Sequence, residues 1–104
     1  MTYKRISVDE VRELLDSRPV TLVDTRDPAA YAAGHMDNAI SLNNQNIGEF
    51  LQQADRAQPL VVVCYHGHSS QPAAQYLAGQ GFEEVYSMDG GFEAWKQVYP
   101  ITTD

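Results

Sequence analysis

The amino-acid sequence predicts an α/β domain built on a mostly parallel sheet of about five strands. Short apolar segments of strand length alternate along the chain with segments whose apolar residues recur at helical spacing. The segment 60–63 is apolar at every position, which is typical of a strand at the centre of a parallel sheet with helices on both faces. A chain of 104 residues is long enough for one hydrophobic core, and we expect residues 1–104 to form a single domain.

The first half of the chain predicts strands and helices in alternation. Ser7 and Glu10 have the spacing of a capping box, which begins the first helix. Asp27 is a suitable N-cap and Pro28 a suitable first residue for the second helix, which Gly34 ends. The expected elements are an edge strand at 3–6, a helix at 8–17, a strand at 20–24, a helix at 28–33, a brief strand at 39–42 and a helix carrying Ile47, Phe50, Leu51 and Ala54.

The second half continues the alternation with the buried strand at 60–63, a loop at 64–70 and a helix that Gly79 and Gly81 close. A last strand at 85–87 leads through a tight turn at 89–91 into a final helix, which Pro100 stops. The residues expected to face inward from the first of these helices are Ala73, Ala74, Tyr76 and Leu77, and the final helix carries Phe92, Trp95 and Val98.

The charge balance excludes several classes of partner. Asp and Glu outnumber Lys and Arg by 14 to 7, which gives a formal net charge of −7 at pH 7. Such a chain repels phosphate backbones and anionic lipids, so we expect neither nucleic acid nor a membrane surface as a partner. The first residues contain no apolar segment of the kind found in signal peptides, and we expect the protein in the cytoplasm.

The only cysteine, Cys64, follows the predicted central strand. A single cysteine excludes a disulfide within the chain and a zinc site built from several thiolates. Ligands of open α/β sheets bind beyond the carboxyl ends of the strands, which is where Cys64 lies. A lone cysteine at the end of an apolar strand is more often an inert buried residue, so its position alone does not predict a function.

The loop after Cys64 favours a functional role. Gly67 permits a tight curve, and Ser69 or Ser70 can cap the helix that follows. A loop of this kind turns backbone N–H groups inward at a helix N-terminus, where they lower the pKa of a thiol and favour its thiolate. Packing alone does not require this arrangement, and the sequence therefore predicts a nucleophilic cysteine.

The side chains of the loop have two possible roles each. Tyr65, His66 and His68 serve either as packing and solvated residues or as groups that line the mouth of the site, where one of them assists catalysis. Ser69 and Ser70 serve either as helix caps alone or also as hydroxyl donors to the substrate.

Three ionisable residues outside the loop are expected to be structural. Asp24 and Arg26 end a neighbouring strand and can form an ion pair, although Arg26 could instead meet an incoming anion. His35 follows Gly34 and is expected to be a hydrogen-bonded structural histidine.

The sequence resembles a known family in four segments. Residues 64–70, Cys-Tyr-His-Gly-His-Ser-Ser, resemble the active-site loop of rhodanese-fold sulfurtransferases. Leu-Val-Asp-Thr-Arg-Asp-Pro at 22–28, Tyr-Ala-Ala-Gly-His-Met-Asp-Asn-Ala at 31–39 and Met-Asp-Gly-Gly-Phe-Glu-Ala-Trp at 88–95 resemble further motifs of that family, in the same order.

The resemblance implies a three-layer rhodanese-like fold and a sulfurtransferase that takes the outer sulfur of thiosulfate onto Cys64. The persulfide then passes its sulfur to cyanide or to a thiol, with thioredoxin and glutathione as candidate acceptors, in a ping-pong sequence that needs no metal or other cofactor. The substrate-binding residues that it implies are Tyr65, His66, Gly67, His68, Ser69 and Ser70.

The loop departs from many single-domain relatives, which carry an arginine within it. No Lys or Arg occurs between Arg56 and Lys96, so we expect thiosulfate to bind weakly through N–H groups and hydroxyls. A phosphatase or arsenate reductase is disfavoured because such enzymes need an arginine that closes the loop, where this chain has Ser69 and Ser70. A sulfur-relay protein with a protein persulfide as donor and a non-catalytic binding module stay as alternatives.

Overall fold

The computed structural model describes residues 2–103, which form an alternating series of strands and helices. The elements are β1 (Lys4–Ile6), α1 (Val8–Ser17), β2 (Thr21–Asp24), α2 (Pro28–Ala33), β3 (Ile40–Ser41), α3 (Ile47–Gln53), β4 (Leu60–Val63), α4 (Ser70–Ala78), β5 (Val85–Met88) and α5 (Gly91–Val98).

The five strands form one sheet in the order β1-β5-β4-β2-β3, and every pairing of neighbours is parallel. The prediction of a mostly parallel α/β sheet is confirmed. In β4, the central strand, Leu60 to Val63 are fully buried. All strands therefore present their carboxyl ends at the same edge of the sheet, and the last residue of β2, Asp24, lies opposite Val63.

Alternate residues of the central strands pack into hydrophobic clusters on opposite faces of the sheet. Val62 packs with Phe50 and Leu77, from α3 and α4, on one face. Val61 packs with Val11 and Trp95, from α1 and α5, on the other. The period of two along each strand thus builds the expected three layers, with helices on both faces of the sheet.

The predicted helix starts are present. Ser7 Oγ accepts a hydrogen bond from Glu10 N at 3.1 Å while the Glu10 carboxylate accepts one from Ser7 N at 2.9 Å. Asp27 caps α2 by accepting from Ala30 N at 3.0 Å. These bonds satisfy N–H groups that have no partner within the helix.

One helix-face prediction is wrong. Ala74 and Leu77 are buried in the core as expected, but the Tyr76 side chain is 52% exposed. The face of α4 that packs on the sheet is narrow and carries Ala74, Leu77 and Ala78. Tyr76 lies to one side of this face, so its side chain is exposed. On α5, Phe92 and Trp95 are buried while Val98 is exposed.

A buried ion pair lies at the end of β2. Arg26 donates to both carboxylate oxygens of Asp24, with an Nη2–Oδ2 distance of 2.6 Å, and to the carbonyl of Gly34 at 2.7 Å. The guanidinium also lies 3.9 Å from the centre of the Phe92 ring. Both charged side chains are almost fully buried. Because Arg26 also contacts Gly34, at the end of α2, and Phe92, in α5, the pair joins these helices to β2 and is structural, as expected.

None of the helices within residues 2–103 has the length and apolar character that crossing a membrane requires.

The buried pair yields a stability prediction. Arg26→Met leaves Asp24 as an unpaired buried carboxylate, which is expected to lower the free energy of unfolding by about 3–5 kcal/mol. Arg18→Met, which removes an exposed ion pair with Glu84, is the control and is expected to cost far less. Urea denaturation measures both, and equal losses in the two variants would contradict the structural role assigned to Arg26.

Candidate active site

Cys64 lies immediately after β4 at the carboxyl edge of the sheet and is only 1% exposed. Its Sγ accepts hydrogen bonds from Gly67 N at 3.1 Å and from Ser70 N, in the first turn of α4, at 3.2 Å. Sγ also lies 3.2 Å from Ser70 Oγ. The sulfur therefore sits at the N-terminus of α4 within a loop that folds back over it.

These contacts change the acidity of the thiol. Burial raises the pKa of Cys64, but hydrogen bonds from the hydroxyls of Ser70 and Ser69 and from the N–H groups of Ser70 and Gly67 outweigh it. The net result is a pKa below the ordinary value for cysteine, because each of these donors favours the thiolate over the thiol.

The outer carbonyls of the loop are held by α5. Phe92 N donates to the carbonyl of Cys64 at 2.8 Å, and Glu93 N donates to the carbonyl of Tyr65 at 3.1 Å. The first turn of α5 thereby uses N–H groups that lack partners within the helix. Holding these carbonyls fixes the backbone at the start of the loop and leaves its later N–H groups, at Gly67 and Ser70, directed at sulfur.

The close approach of the two segments requires glycine. Gly91 has a φ of +62°, and a Cβ there would lie 2.5 Å from the carbonyl oxygens of Cys64 and Tyr65. Gly67 has a φ of +91°, and a Cβ there would lie 2.9 Å from Gly90 N. The sequence indicated only that the glycine pair at 90–91 was a turn bordering the pocket, whereas these contacts show that its backbone packs directly on the loop.

The remaining side chains of the loop lie at the surface. Tyr65 is 37% exposed, and its hydroxyl donates to the carboxylate of Asp27, which ties the loop to the start of α2. That hydrogen bond raises the pKa of Tyr65 and lowers the pKa of Asp27. His66 and His68 are exposed, so they lie on the outer side of a loop whose inner side faces Sγ.

The capping role expected for the loop serines is wrong. Ser69 occupies the N-cap position of α4 but has helical backbone angles, φ −71° and ψ −17°, and no side-chain cap hydrogen bond. Ser70 is fully buried, and its hydroxyl faces Cys64 rather than the helix backbone. The buried sulfur accepts the Ser70 N–H, which has no partner within the helix.

Sequence reasoning missed Ser87. Its Oγ lies 2.7 Å from Ser70 Oγ, and the residue is fully buried on β5. The only indication in the sequence was a small polar residue, Ser87, within the mainly hydrophobic strand Val-Tyr-Ser-Met at 85–88. Only the parallel pairing, which places Ser87 opposite Val62, brings it beneath the loop.

Arg26 and His35, two further ionisable candidates, are held by contacts within the fold. Arg26 pairs with Asp24 within the fold. The His35 ring stacks on the Tyr31 ring, with 3.9 Å between ring centres, and His35 Nδ1 lies 2.8 Å from the backbone carbonyl oxygen of Tyr31. Both observations agree with a structural role. Within residues 2–103 no group of three or more His, Cys, Asp or Glu side chains could hold a metal ion.

The fold and the cysteine loop together define a class of protein. A family model described as the rhodanese-like domain matches residues 7–98, and the chain belongs to this family. The thiosulfate sulfurtransferase GlpE of Pseudoalteromonas translucida is 52% identical over 99 residues, which span 95% of this chain and 94% of that protein. The thiosulfate sulfurtransferase GlpE of Pseudomonas aeruginosa is 48% identical over 102 residues, spanning 98% of this chain and 92% of that protein.

Solved structures show the same fold. A rhodanese-like domain protein from Staphylococcus aureus superimposes with a TM-score of 0.82 at 28% identity and covers 97% of this chain and 98% of its own. A rhodanese-like domain from Anabaena has a TM-score of 0.86 at 20% identity and covers 99% of this chain and 81% of its own. The fold is therefore retained although most residues differ between these proteins and this chain.

The lowered pKa predicts how the thiol reacts. The rate of alkylation of Cys64 by iodoacetamide is expected to rise with a midpoint below the ordinary cysteine pKa of about 8.5, since only the thiolate reacts. Intact-mass measurement follows the reaction at the chain's single cysteine. The urea-unfolded chain is the control and should return the ordinary midpoint, and a folded-state midpoint at or above that of the control would disprove the donor arrangement.

The glycine packing predicts a position-specific cost. Gly81 also has a positive φ, +95°, but a Cβ there would meet nothing within 4 Å, so Gly81→Ala is expected to cost about 1–2 kcal/mol of backbone strain. Gly91→Ala adds a collision with loop carbonyls and is expected to cost more and to raise the alkylation midpoint of Cys64. Urea denaturation and the alkylation assay test both effects, and similar behaviour of the two variants would count against the packing argument.

Proposed function

We propose that the protein is a thiosulfate sulfurtransferase that carries sulfur as a persulfide on Cys64. The observation that carries this proposal is the buried Sγ with donors from Gly67 and Ser70, on a chain about half identical to proteins named thiosulfate sulfurtransferase. A thiol with a lowered pKa supplies the nucleophile without a neighbouring base.

In the first half-reaction the Cys64 thiolate attacks the outer sulfur of thiosulfate. A bond forms between Sγ and that sulfur, the sulfur–sulfur bond of thiosulfate breaks, and its electron pair leaves with sulfite. The enzyme keeps one negative charge, now on the terminal sulfur of the persulfide. Because that charge moves by one atom only, fixed donors around Sγ stabilise the states before and after transfer.

The loop offers donors for the anionic substrate and for the terminal sulfur. Among residues 2–103, the backbone N–H groups of His66, His68 and Ser69 have no acceptor, so they remain available to a ligand. The side chains of Tyr65, His66, His68 and Ser69 are exposed, so an anion that approaches the loop from solvent would meet them first. We assign substrate binding to the loop 65–70 on these grounds.

In the second half-reaction an acceptor attacks the terminal sulfur, and the electron pair of the persulfide bond returns to Sγ. Cyanide would leave as thiocyanate, and a thiolate would leave as a new persulfide. We expect a thiol such as thioredoxin or glutathione to serve as acceptor. The cytoplasm suits this chemistry because its reducing conditions keep a single free thiol from oxidation.

A protein persulfide is a second candidate donor. No Lys or Arg lies between Arg56 and Lys96, so the loop holds no permanent cation for a small dianion, and contacts made by a protein donor would compensate. Single-turnover rates with thiosulfate, 3-mercaptopyruvate and a persulfidated protein distinguish the donors.

The persulfide predicts a mass change. After incubation with thiosulfate and removal of the excess, the intact chain is expected to gain the mass of one sulfur atom, which dithiothreitol or cyanide removes. Cys64→Ala and Cys64→Ser are expected to gain nothing and to form no thiocyanate. A wild-type chain without the added sulfur, or a Cys64→Ala chain with it, would falsify the proposal.

A further inference from the structure

A chain of hydroxyl groups beneath Cys64 ends at a residue that the mechanism above does not use. Cys64 Sγ lies 3.2 Å from Ser70 Oγ, which lies 2.7 Å from Ser87 Oγ. Both serines are fully buried. Ser70 belongs to α4 and Ser87 to β5, so the contact joins two elements on which the position of the sulfur depends.

The direction of these hydrogen bonds depends on the charge of the sulfur. A hydroxyl group has one proton to donate and two lone pairs with which to accept. When Cys64 is a thiol, its proton can point at Ser70 Oγ, and either serine can donate to the other. When Cys64 is a thiolate, Ser70 must direct its only proton at Sγ. Its oxygen can then bond Ser87 only as an acceptor.

We propose that Ser87 is a positioning residue for sulfur transfer, because its hydroxyl donates to Ser70 and so holds the Ser70 proton directed at Cys64 Sγ. This role deepens the proposed function and rests on Cys64 as the sulfur carrier. The fixed donor stabilises the attacking thiolate in the first half-reaction. In the second it stabilises the electron pair that returns to Sγ when the persulfide bond breaks.

The charged groups around the sulfur belong to other contacts and stay unchanged in the test. His66 and His68 are exposed on the loop, and Asp24 and Arg26 pair with each other at the end of β2. At the start of α5 and just before it, Glu93 pairs with Lys96 and Asp89 pairs with Arg5.

The test compares the pH midpoint of Cys64 alkylation in single and double variants. Ser70→Ala is expected to raise the midpoint by about 1 pH unit and Ser87→Ala by about 0.5, since a hydrogen bond to the thiolate is lost in the first variant and weakened in the second. The double variant Ser70→Ala/Ser87→Ala is expected to match Ser70→Ala alone, because Ser87 acts on the sulfur only through Ser70. A merely structural role of Ser87 would not produce this non-additivity.

Thr21→Val is the matched control. Like Ser87→Ala, this variant removes the hydroxyl of a strand residue, and the Thr21 hydroxyl donates a hydrogen bond to Gln58. Thr21 pairs with Leu60, however, which lies at the opposite end of β4 from Cys64. The midpoint of this variant is expected to equal that of the wild type. An unchanged midpoint in Ser87→Ala, or a double variant shifted by the sum of the single shifts, would overturn the proposal.

The alkylation assay keeps this inference separate from the proposed function. It uses no sulfur donor, so it reports the role of Ser87 even if thiosulfate proves not to be the substrate. Failure of the persulfide mass gain with a retained Ser87 effect would reject the proposed substrate alone. A persulfide that forms normally with no Ser87 effect would reject the positioning role alone.

Discussion

The contact on which the site depends is the packing of one backbone segment, 64–70, against another, 88–93. The first N–H groups of α5 bond the carbonyls of Cys64 and Tyr65, while the later N–H groups of the loop bond Sγ. The segments meet so closely that Gly91 has no space for a Cβ. The polarity of the loop, with carbonyls bonded on one side and N–H groups bonded on the other, follows from this contact and makes a buried thiolate possible.

Burial and hydrogen bonding have opposite effects on the pKa of Cys64. Removing an anion from water disfavours it, and a buried cysteine without donors would be an inert thiol. Here the donors from Ser70, Ser69 and Gly67 together outweigh burial and lower the pKa of Cys64, so the thiolate is favoured while it stays shielded. The chain carries a net charge of −7, which cannot attract an anionic donor over a distance. Attraction must therefore arise locally, from dipoles of the loop.

Much of the fold followed from local patterns because those patterns report local physics. The capping box at Ser7 and the Asp27 cap act within one helical turn, and the apolar run of β4 requires burial on both faces. The exposure of Tyr76 was not predicted, since the width of a helix's buried stripe depends on what the helix packs against. The capping role of Ser70 was wrong for a related reason, because its hydroxyl found a tertiary partner in Cys64.

The sequence by itself determined the α/β class, the placement of Cys64 at the carboxyl end of a central strand, and the glycine and serine residues that the loop needs. These features depend on residue type and on spacing within short segments. The tertiary structure alone decided that Ser87 lies against Ser70 and that Gly91 packs on the loop carbonyls. Contacts between segments far apart in the chain are set by strand order and register, which no local pattern encodes.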